Sequence, residues 1–348
     1  MAISNVPGLS TKIGFGILGS GMVADYHRQA IAANADLGAR LTAVGHYDPA
    51  RYARISERFG APCLGQKELL AHPDVDVVCI CTPSGQHAAQ AIAAAQAGKH
   101  VLVEKPMALT LAGADAMIAA CRQAGVRLGV VLQRRTEPLF ERIHRAIQAG
   151  DFGPLTLGIV TMPYVRPQSY YDQADWRGTW SLDGGGVLMN QGIHLLDLLI
   201  WFMGDPVEIQ AQAATLHRQI EVEDTLAANL RFANGALATI TATTTAAPGF
   251  PHRLEIYGAG GGVQVDGDMV NRWELAEPAR AAVKPPETGK AVSAGSGGDP
   301  RGIAATGHAA ITREFIQAIR AARAPQIDGA EGRRSLAAVL AIYKAANL

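Results

Sequence analysis

Two short stretches of the chain carry side chains suited to moving a proton. The first is Val101-Leu-Val-Glu104-Lys105-Pro106, an apolar run that ends on a cation. An ammonium fixed at the end of a strand can stabilise an oxygen that gains negative charge as a bond breaks. The second is Asp183-Gly184-Gly185-Gly186-Val-Leu-Met-Asn190-Gln191-Gly-Ile-His194. Asn190 and His194 stand four residues apart, which on a helix puts both on one face. An unperturbed imidazole titrates at about 6.5, so His194 suits general-base work near neutral pH. Taken singly, each stretch has a plainer reading: a solvated lysine at a strand end, and a histidine satisfied within a helical core.

A third stretch, near the start, gives the class of molecule such groups would serve. Lys12-Ile-Gly-Phe-Gly-Ile-Leu18 is apolar and is followed by Gly19-x-Gly21-x-x-Ala24. Strand, glycine turn and helix in that order are the fingerprint of a dinucleotide-binding βαβ unit. Gly19 permits the turn, Gly21 admits a pyrophosphate to the backbone, and Ala24 lets the helix pack close to the strand. The free amides at Met22 and Val23 would face the phosphates. An acidic residue at the end of the second strand usually takes the ribose hydroxyls. Here His46 holds that register and Asp48 follows two residues later, where it also suits the N-cap of a helix opening at Pro49. Arg51 and Arg54 could instead neutralise a 2′-phosphate. NAD is therefore the expected cofactor, with NADP left open.

The elements that must position these residues fall into two patterns. Up to about residue 135, strands at Lys12–Leu18, Arg40–His46, Val75–Cys81, His100–Val103 and Arg127–Leu132 alternate with Ala-rich helices at Met22–Ala33, Pro49–Phe59, Gln86–Ala97 and Leu111–Ala124. That alternation predicts a doubly wound parallel sheet. A helix at Glu137–Ala149 then leads to a turn at Gly150-Asp-Phe-Gly-Pro154. Beyond it come a helix near Val187–Phe202 and successive strands at Val207–Leu216, Thr225–Phe232, Ala236–Thr245, His252–Tyr257 and Gly262–Val265, with a hairpin signal at Asn234-Gly235. These predict an antiparallel α+β domain. An exposed loop is expected at about 276–304, and helices near His308–Arg323 and Ala330–Ala346 close the chain. The expected domains are 1–135, 136–304 and a C-terminal helical segment, 305–348, packing back near the junction.

Composition excludes several classes of function. The chain has 348 residues, 48% hydrophobic and 18% charged, with zero formal net charge. Nothing in that balance points to nucleic acid or to an acidic membrane surface. Cys79 and Cys81 would share one face of an apolar strand, and with Cys63 and Cys121 they read as reduced core thiols; no metal site is expected. No signal peptide and no run long enough to span a membrane is seen, so the cytoplasm is the expected compartment.

Gly19-x-Gly21-x-x-Ala24, Cys81-Thr82-Pro83 with His87, Glu104-Lys105-Pro106 and Gly184-Gly185-Gly186…Asn190…His194 together resemble the glucose–fructose oxidoreductase, inositol dehydrogenase and MocA family, over nearly the whole chain. The resemblance implies an N-terminal Rossmann domain and a C-terminal domain with an open-faced antiparallel sheet, often the contact of a homodimer or homotetramer. It implies oxidation or reduction of a secondary hydroxyl on a sugar, sugar acid or cyclic polyol. It also implies that Thr82 and Pro83 lie beside the cofactor, with His87, Glu104 and Lys105 in the same set. Lys105 and His194 would be the catalytic pair, either of them able to serve as the base, with Asn190 beside them. Many family members carry Asp where this chain has Asn190. Asn there looks like the branch of dehydrogenases for nucleotide-linked amino-sugar acids, which oxidise the ring C3 hydroxyl.

Substrate contacts are expected from Tyr164, Arg166, Tyr170, Trp176 and Arg177, because aromatic faces stack on sugar rings and arginine holds carboxylate or phosphate. Gln133 and Arg135, at the end of the fifth strand, are expected to face the same crevice. Lys105, Asn190 and His194 complete the substrate set. Two other readings remain open for such a chain. One is a glycosidase-like enzyme that uses transient oxidation at C3; the other is a non-catalytic nucleotide or sugar sensor.

Overall fold

The computed structural model describes residues 12–286 and 306–348. Of these, 12–133 and 306–333 form one compact unit, and 134–286 and 334–348 form a second. Residues 287–304 of the expected loop lie outside the described residues.

Unit one is built on six strands: β1 (Ile13–Leu18), β2 (Ala39–Gly45), β3 (Cys63–Leu64), β4 (Val77–Ile80), β5 (His100–Val103) and β6 (Leu128–Val130). All pair in parallel, in the order β3-β2-β1-β4-β5-β6. Parallel strands are covered on both faces, so they read as unbroken apolar runs rather than alternating ones. Every residue of β1 and β4 is buried. Each large side chain hidden this way, such as Phe15 or Ile17, contributes roughly 1.5–3 kcal/mol. The crossovers carry α1 (Met22–Ala33), α2 (Tyr52–Phe59), α3 (Gln66–Ala71), α4 (His87–Gln96) and α5 (Leu111–Gln123). Residues Pro49–Arg51, expected as the first turn of a helix, form a separate 3-10 turn capped by Asp48.

Helix α9 (Thr306–Arg320) belongs to unit one. It buries Ile311, Phe315, Ile316 and Ile319, and Arg320 reaches the Leu37 carbonyl at 2.7 Å. Helix α10 (Gly329–Ala345) is divided between the units after Arg333.

Unit two holds α6 (Pro138–Gln148), α7 (Gln168–Tyr171) and α8 (Ile193–Met203) with a seven-stranded sheet. Its strands are β7 (Leu155–Pro163), β8 (Pro206–Ala214), β9 (Thr225–Phe232), β10 (Leu237–Thr243), β11 (Arg253–Gly258), β12 (Gly261–Asp266) and β13 (Met269–Leu275). They lie in the order β13-β12-β11-β7-β10-β9-β8. The sheet is antiparallel except at its centre, where β7 and β10 run parallel. Strands β7 and β13 were not anticipated; β7 is the one that makes the centre mixed. Strands β9 and β10 alternate buried and exposed residues, so one face is covered and the other is open. Helix α8 is apolar almost all round and buried. Its Leu199 and Met203 lie over Gly158 of β7, where an added Cβ would come within 2.8 Å of both.

Candidate active site

At the end of β1 the chain must turn sharply past β4. Gly19 does so at φ +103, and its amide donates to the Gly45 carbonyl at 3.0 Å. A Cβ there would sit 2.5 Å from the Cys81 carbonyl oxygen, so no other residue fits. Gly21 is the N-cap of α1 and supplies no side-chain acceptor to the first-turn amides, while a Cβ on it would meet nothing within 4 Å. The helix end thus keeps unpaired donors and a partial positive charge beside open space, which fits a dinucleotide pyrophosphate. Ala24 is fully buried, so α1 rests close on the sheet. Arg58 donates to the Ser20 carbonyl at 2.9 Å and pairs with Asp25, bracing the glycine turn from α2.

After β2, the His46 ring accepts from the Asp48 amide at 3.1 Å, and the Asp48 carboxylate accepts from Ala50 at 3.0 Å. Asp48 is therefore a turn cap, with Arg51 and Arg54 exposed on the segment it opens. After β4, Thr82 donates its hydroxyl to Gln90 at 2.6 Å, and Pro83 leads into the turn before α4.

The side chains of His87 and Glu104, both expected beside the cofactor, are engaged within unit one. The His87 ring is buried between the Thr82 carbonyl (2.9 Å) and the Pro106 carbonyl (2.8 Å), tying the two loops together. Burial pulls its pKa down. The Glu104 carboxylate is buried against His27 of α1 (2.8 Å) and His308 of α9 (3.2 Å). Lys105 follows it, half-buried, and the Lys105–Pro106 peptide is cis.

In unit two, the expected helix opens differently. Residues Val187–Gly192 form a π-helical turn, and α8 begins only at Ile193. Its first amides are held by distant partners. Glu223 accepts from Gly186 (2.8 Å) and Leu188 (3.0 Å), and the Tyr343 hydroxyl accepts from Met189 (3.1 Å) while donating to Glu223 (2.8 Å). A Cβ on Gly186 would overlap the Glu223 carbonyl oxygen at 1.7 Å, so only glycine admits this approach. Burial pushes the Glu223 carboxyl up and the Tyr343 phenol well up. Single π-turns inside α-helices are frequent at functional sites. Asn190 lies in this turn and donates its amide to Asp183 at 2.7 Å. Asp183 is buried and also accepts from the Gly178 amide at 2.9 Å. His194 is half-buried on the first turn of α8.

A cation and aromatic cluster lies near the same turn in sequence. Arg177 stacks on Tyr170 (4.3 Å) and Trp176 (4.6 Å), and donates to the Tyr170 hydroxyl at 2.6 Å. Arg166 lies 5.7 Å from Tyr170 and 6.0 Å from Tyr164. Tyr164 is buried, and its phenol is pushed up to about 12 by desolvation.

Arg135, expected among the substrate contacts, has a partner within unit two. It is buried, and Asp197 of α8 holds its guanidinium bidentately at 2.8 and 2.7 Å. Ser335 donates to the same carboxylate, and the guanidinium lies 5.4 Å from the Trp201 ring. A planar fork matched to one carboxylate makes a strong, directional pair. Gln133, half-buried, opens the 3-10 turn Gln133–Thr136 that also holds Arg135.

Comparison with known proteins turns this geometry into an assignment. Residues 13–132 match the oxidoreductase family, NAD-binding Rossmann fold, and residues 140–264 match the GFO/IDH/MocA C-terminal domain. A 1,5-anhydro-D-fructose reductase from Ensifer adhaerens is 33% identical over 80% of this chain and 80% of its own. The chain belongs to the Gfo/Idh/MocA oxidoreductase family. Its members include an inositol 2-dehydrogenase from Rhizobium meliloti, 29% identical over 75% of this chain and 78% of that one. Among solved structures, the WlbA dehydrogenase from Bordetella pertussis, in complex with NADH and UDP-GlcNAcA, is 36% identical. It covers 97% of both chains with a TM-score of 0.85. This chain is thus an oxidoreductase with an NAD-binding Rossmann domain.

As a Gfo/Idh/MocA protein it carries three buried acids or hydroxyls that the motifs alone did not flag. Asp183 stands beside the triple glycine and could have been found as an acid at a tight turn. Glu223 and Tyr343 gave no local signal, because they reach the site from 35 and 154 residues away in sequence. Among the described residues, no helix is long and apolar enough to cross a membrane.

Proposed function

We propose that this enzyme oxidises, or in reverse reduces, a secondary hydroxyl at ring C3 of a nucleotide-linked sugar acid, with NAD as cofactor. The observation that carries the reading is the 36% identity, over 97% of both chains, to a dehydrogenase in complex with NADH and UDP-GlcNAcA. Asn190 in place of the family's Asp supports the same branch, and Arg166 and Arg177 offer cations suited to a carboxylate or diphosphate.

Bound NAD supplies the hydride acceptor. The glycine turn and the N-terminus of α1 hold its phosphates, through Gly19, Gly21, Met22 and Val23. Thr82 and Pro83 border the ring end, and His46, Asp48 and Arg51 border the adenosine ribose. His194 takes the hydroxyl proton at its imidazole nitrogen. Lys105 donates a hydrogen bond to the reacting oxygen and stabilises its negative charge. Asn190 orients the hydroxyl through its amide. Gln133, Tyr164, Tyr170 and Trp176 border the sugar. The open face of the second sheet is the surface on which a second copy packs, giving a homodimer or homotetramer; light scattering on the purified protein tests that.

The decisive experiment follows absorbance of the reduced nicotinamide with NAD and UDP-GlcNAcA, set against inositols, free sugars and free sugar acids. Turnover confined to the nucleotide-linked acid supports the proposal. Turnover with a free polyol and none with the nucleotide-linked acid overturns it.

A further inference from the structure

A buried acid flanked by two histidines stands directly before the proposed catalytic lysine. Glu104 ends β5, His27 lies on α1 and His308 on α9, and all three are buried within unit one. The Glu104 Oε1 atom lies 2.8 Å from His27 Nε2 and 3.2 Å from His308 Nε2. A carboxylate can only accept, so both Nε2 atoms carry hydrogen. Both Nδ1 atoms are buried without a partner. A second proton on either ring would therefore be a desolvated, unpaired N–H, and each ring stays neutral. The cluster then carries a single negative charge. The other carboxylate oxygen lies 3.4 Å from the backbone amide of Lys105.

These ligand atoms are close enough together to hold a metal ion. Metal-bound histidines, however, almost always donate their second nitrogen to an acceptor, and neither Nδ1 has one. The hydrogen-bonded reading fits better.

We infer that the His27–Glu104–His308 cluster is a positioning device that fixes one buried negative charge behind Lys105, so that Lys105 works as a cation and the proton is left to His194. This deepens the proposed reaction and rests on it for the roles of Lys105 and His194. The groups facing the cluster agree with the sign. Glu104 is held well below the usual carboxylate range by hydrogen bonds from His27 and His308, against the cost of its burial. His27 is pulled down, chiefly by burial. From α4, His87 feels both Glu104 and Lys105. From β4 and its end, the thiols of Cys79, buried, and Cys81, half-buried, are pushed up by desolvation and further by Glu104, and add no charge.

The test needs no turnover, so its failure is separable from failure of the proposed reaction. Purified protein without added cofactor is labelled with acetic anhydride across pH 7–11, and acetylation of Lys105 is read by mass spectrometry, with exposed Lys67 as the internal standard. In Glu104→Gln the charge is lost and the shape kept. The half-labelling pH of Lys105 is expected to fall by about one unit or more, a tenfold gain in reactivity at fixed pH, with Lys67 unmoved. An unchanged Lys105 curve in a folded Glu104→Gln protein overturns the inference. Should that variant not fold, long-range proton–nitrogen spectra of the unaltered protein decide. His27 and His308 as neutral Nε2–H tautomers at pH 7 support the inference. A doubly protonated His27, or a stoichiometric metal in the purified protein, overturns it.

Discussion

Asp183 holds the amide of Asn190 through a 2.7 Å hydrogen bond to its Oδ1 atom. Because a carboxylate only accepts, this contact turns the Asn190 nitrogen toward Asp183 and its carbonyl oxygen away. The carboxylate missing at position 190 thus stands one layer back. Asp183→Asn leaves a single acceptor oxygen for the two donors, Asn190 and Gly178, and so loosens the constraint on the amide. It is expected to lower kcat about tenfold while NADH binding, followed by fluorescence, stays unchanged. Loss of NADH binding together with kcat would mean that Asp183 acts on the fold instead.

Lys105→Ala and His194→Ala separate chemistry from cofactor binding. Each is expected to lower kcat by about 100-fold or more, the scale of a lost proton-transfer group or oxyanion donor. The NAD dissociation constant should move little, since the proposed phosphate site is the glycine turn. Steady-state kinetics with a parallel NADH titration checks both, and full activity in His194→Ala would remove it as the base.

Substitution of Arg135 reads out stability rather than substrate. Asp197 is 1% exposed, so Arg135→Ala leaves a buried carboxylate without its partner. The expected loss is about 3–5 kcal/mol in a denaturant melt. A near-normal melt with a raised KM would instead restore the substrate role expected from the sequence.

Glu137 gives a pH signature. Desolvation pushes its carboxyl up to about 7, outweighing the pull of Arg134 3.4 Å away. The folded state then holds that proton more tightly than the unfolded chain does. Between about pH 4.5 and 7 the native state binds more protons, so this group's contribution to stability falls as pH rises through that window. Glu137→Gln is expected to flatten the slope and raise stability at pH 8 by on the order of 1 kcal/mol, the group being partly screened by water. Urea midpoints at pH 5 and pH 8 measure it.

Arg177 probes the substrate proposal. Its guanidinium is already fixed by Tyr170 and Trp176, so little ordering remains for binding to supply. Arg177→Ala is expected to raise KM for a nucleotide-linked sugar acid by roughly 10–100-fold with a smaller change in kcat, the worth of a charged hydrogen bond. An equal KM would move the anion site elsewhere.

The parallel sheet of unit one was legible because its evidence is local. Apolar runs, Ala-rich helices and glycines at turns repeat within a few residues, and His100–Val103 and Met22–Ala33 fall where the sequence puts them. Strand β7 was not legible: its half-covered pattern, Leu-Thr-Leu-Gly-Ile-Val-Thr, becomes a strand only between β10 and β11. Residue types at the site were equally clear, but their uses were not. The partners of Arg135 and Glu104 were not legible: Asp197 stands against the one, and two histidines close on the other.

What the sequence by itself determined is therefore the cofactor class and the family, since the motifs that carry them each lie along a single strand, turn or helix. Tertiary structure alone decided which charges are spent within the fold. The pairs Glu223–Tyr343 and Arg135–Asp197 join distant segments, and a buried polar group is satisfied by whichever partner the packing brings near rather than by a neighbour in the chain.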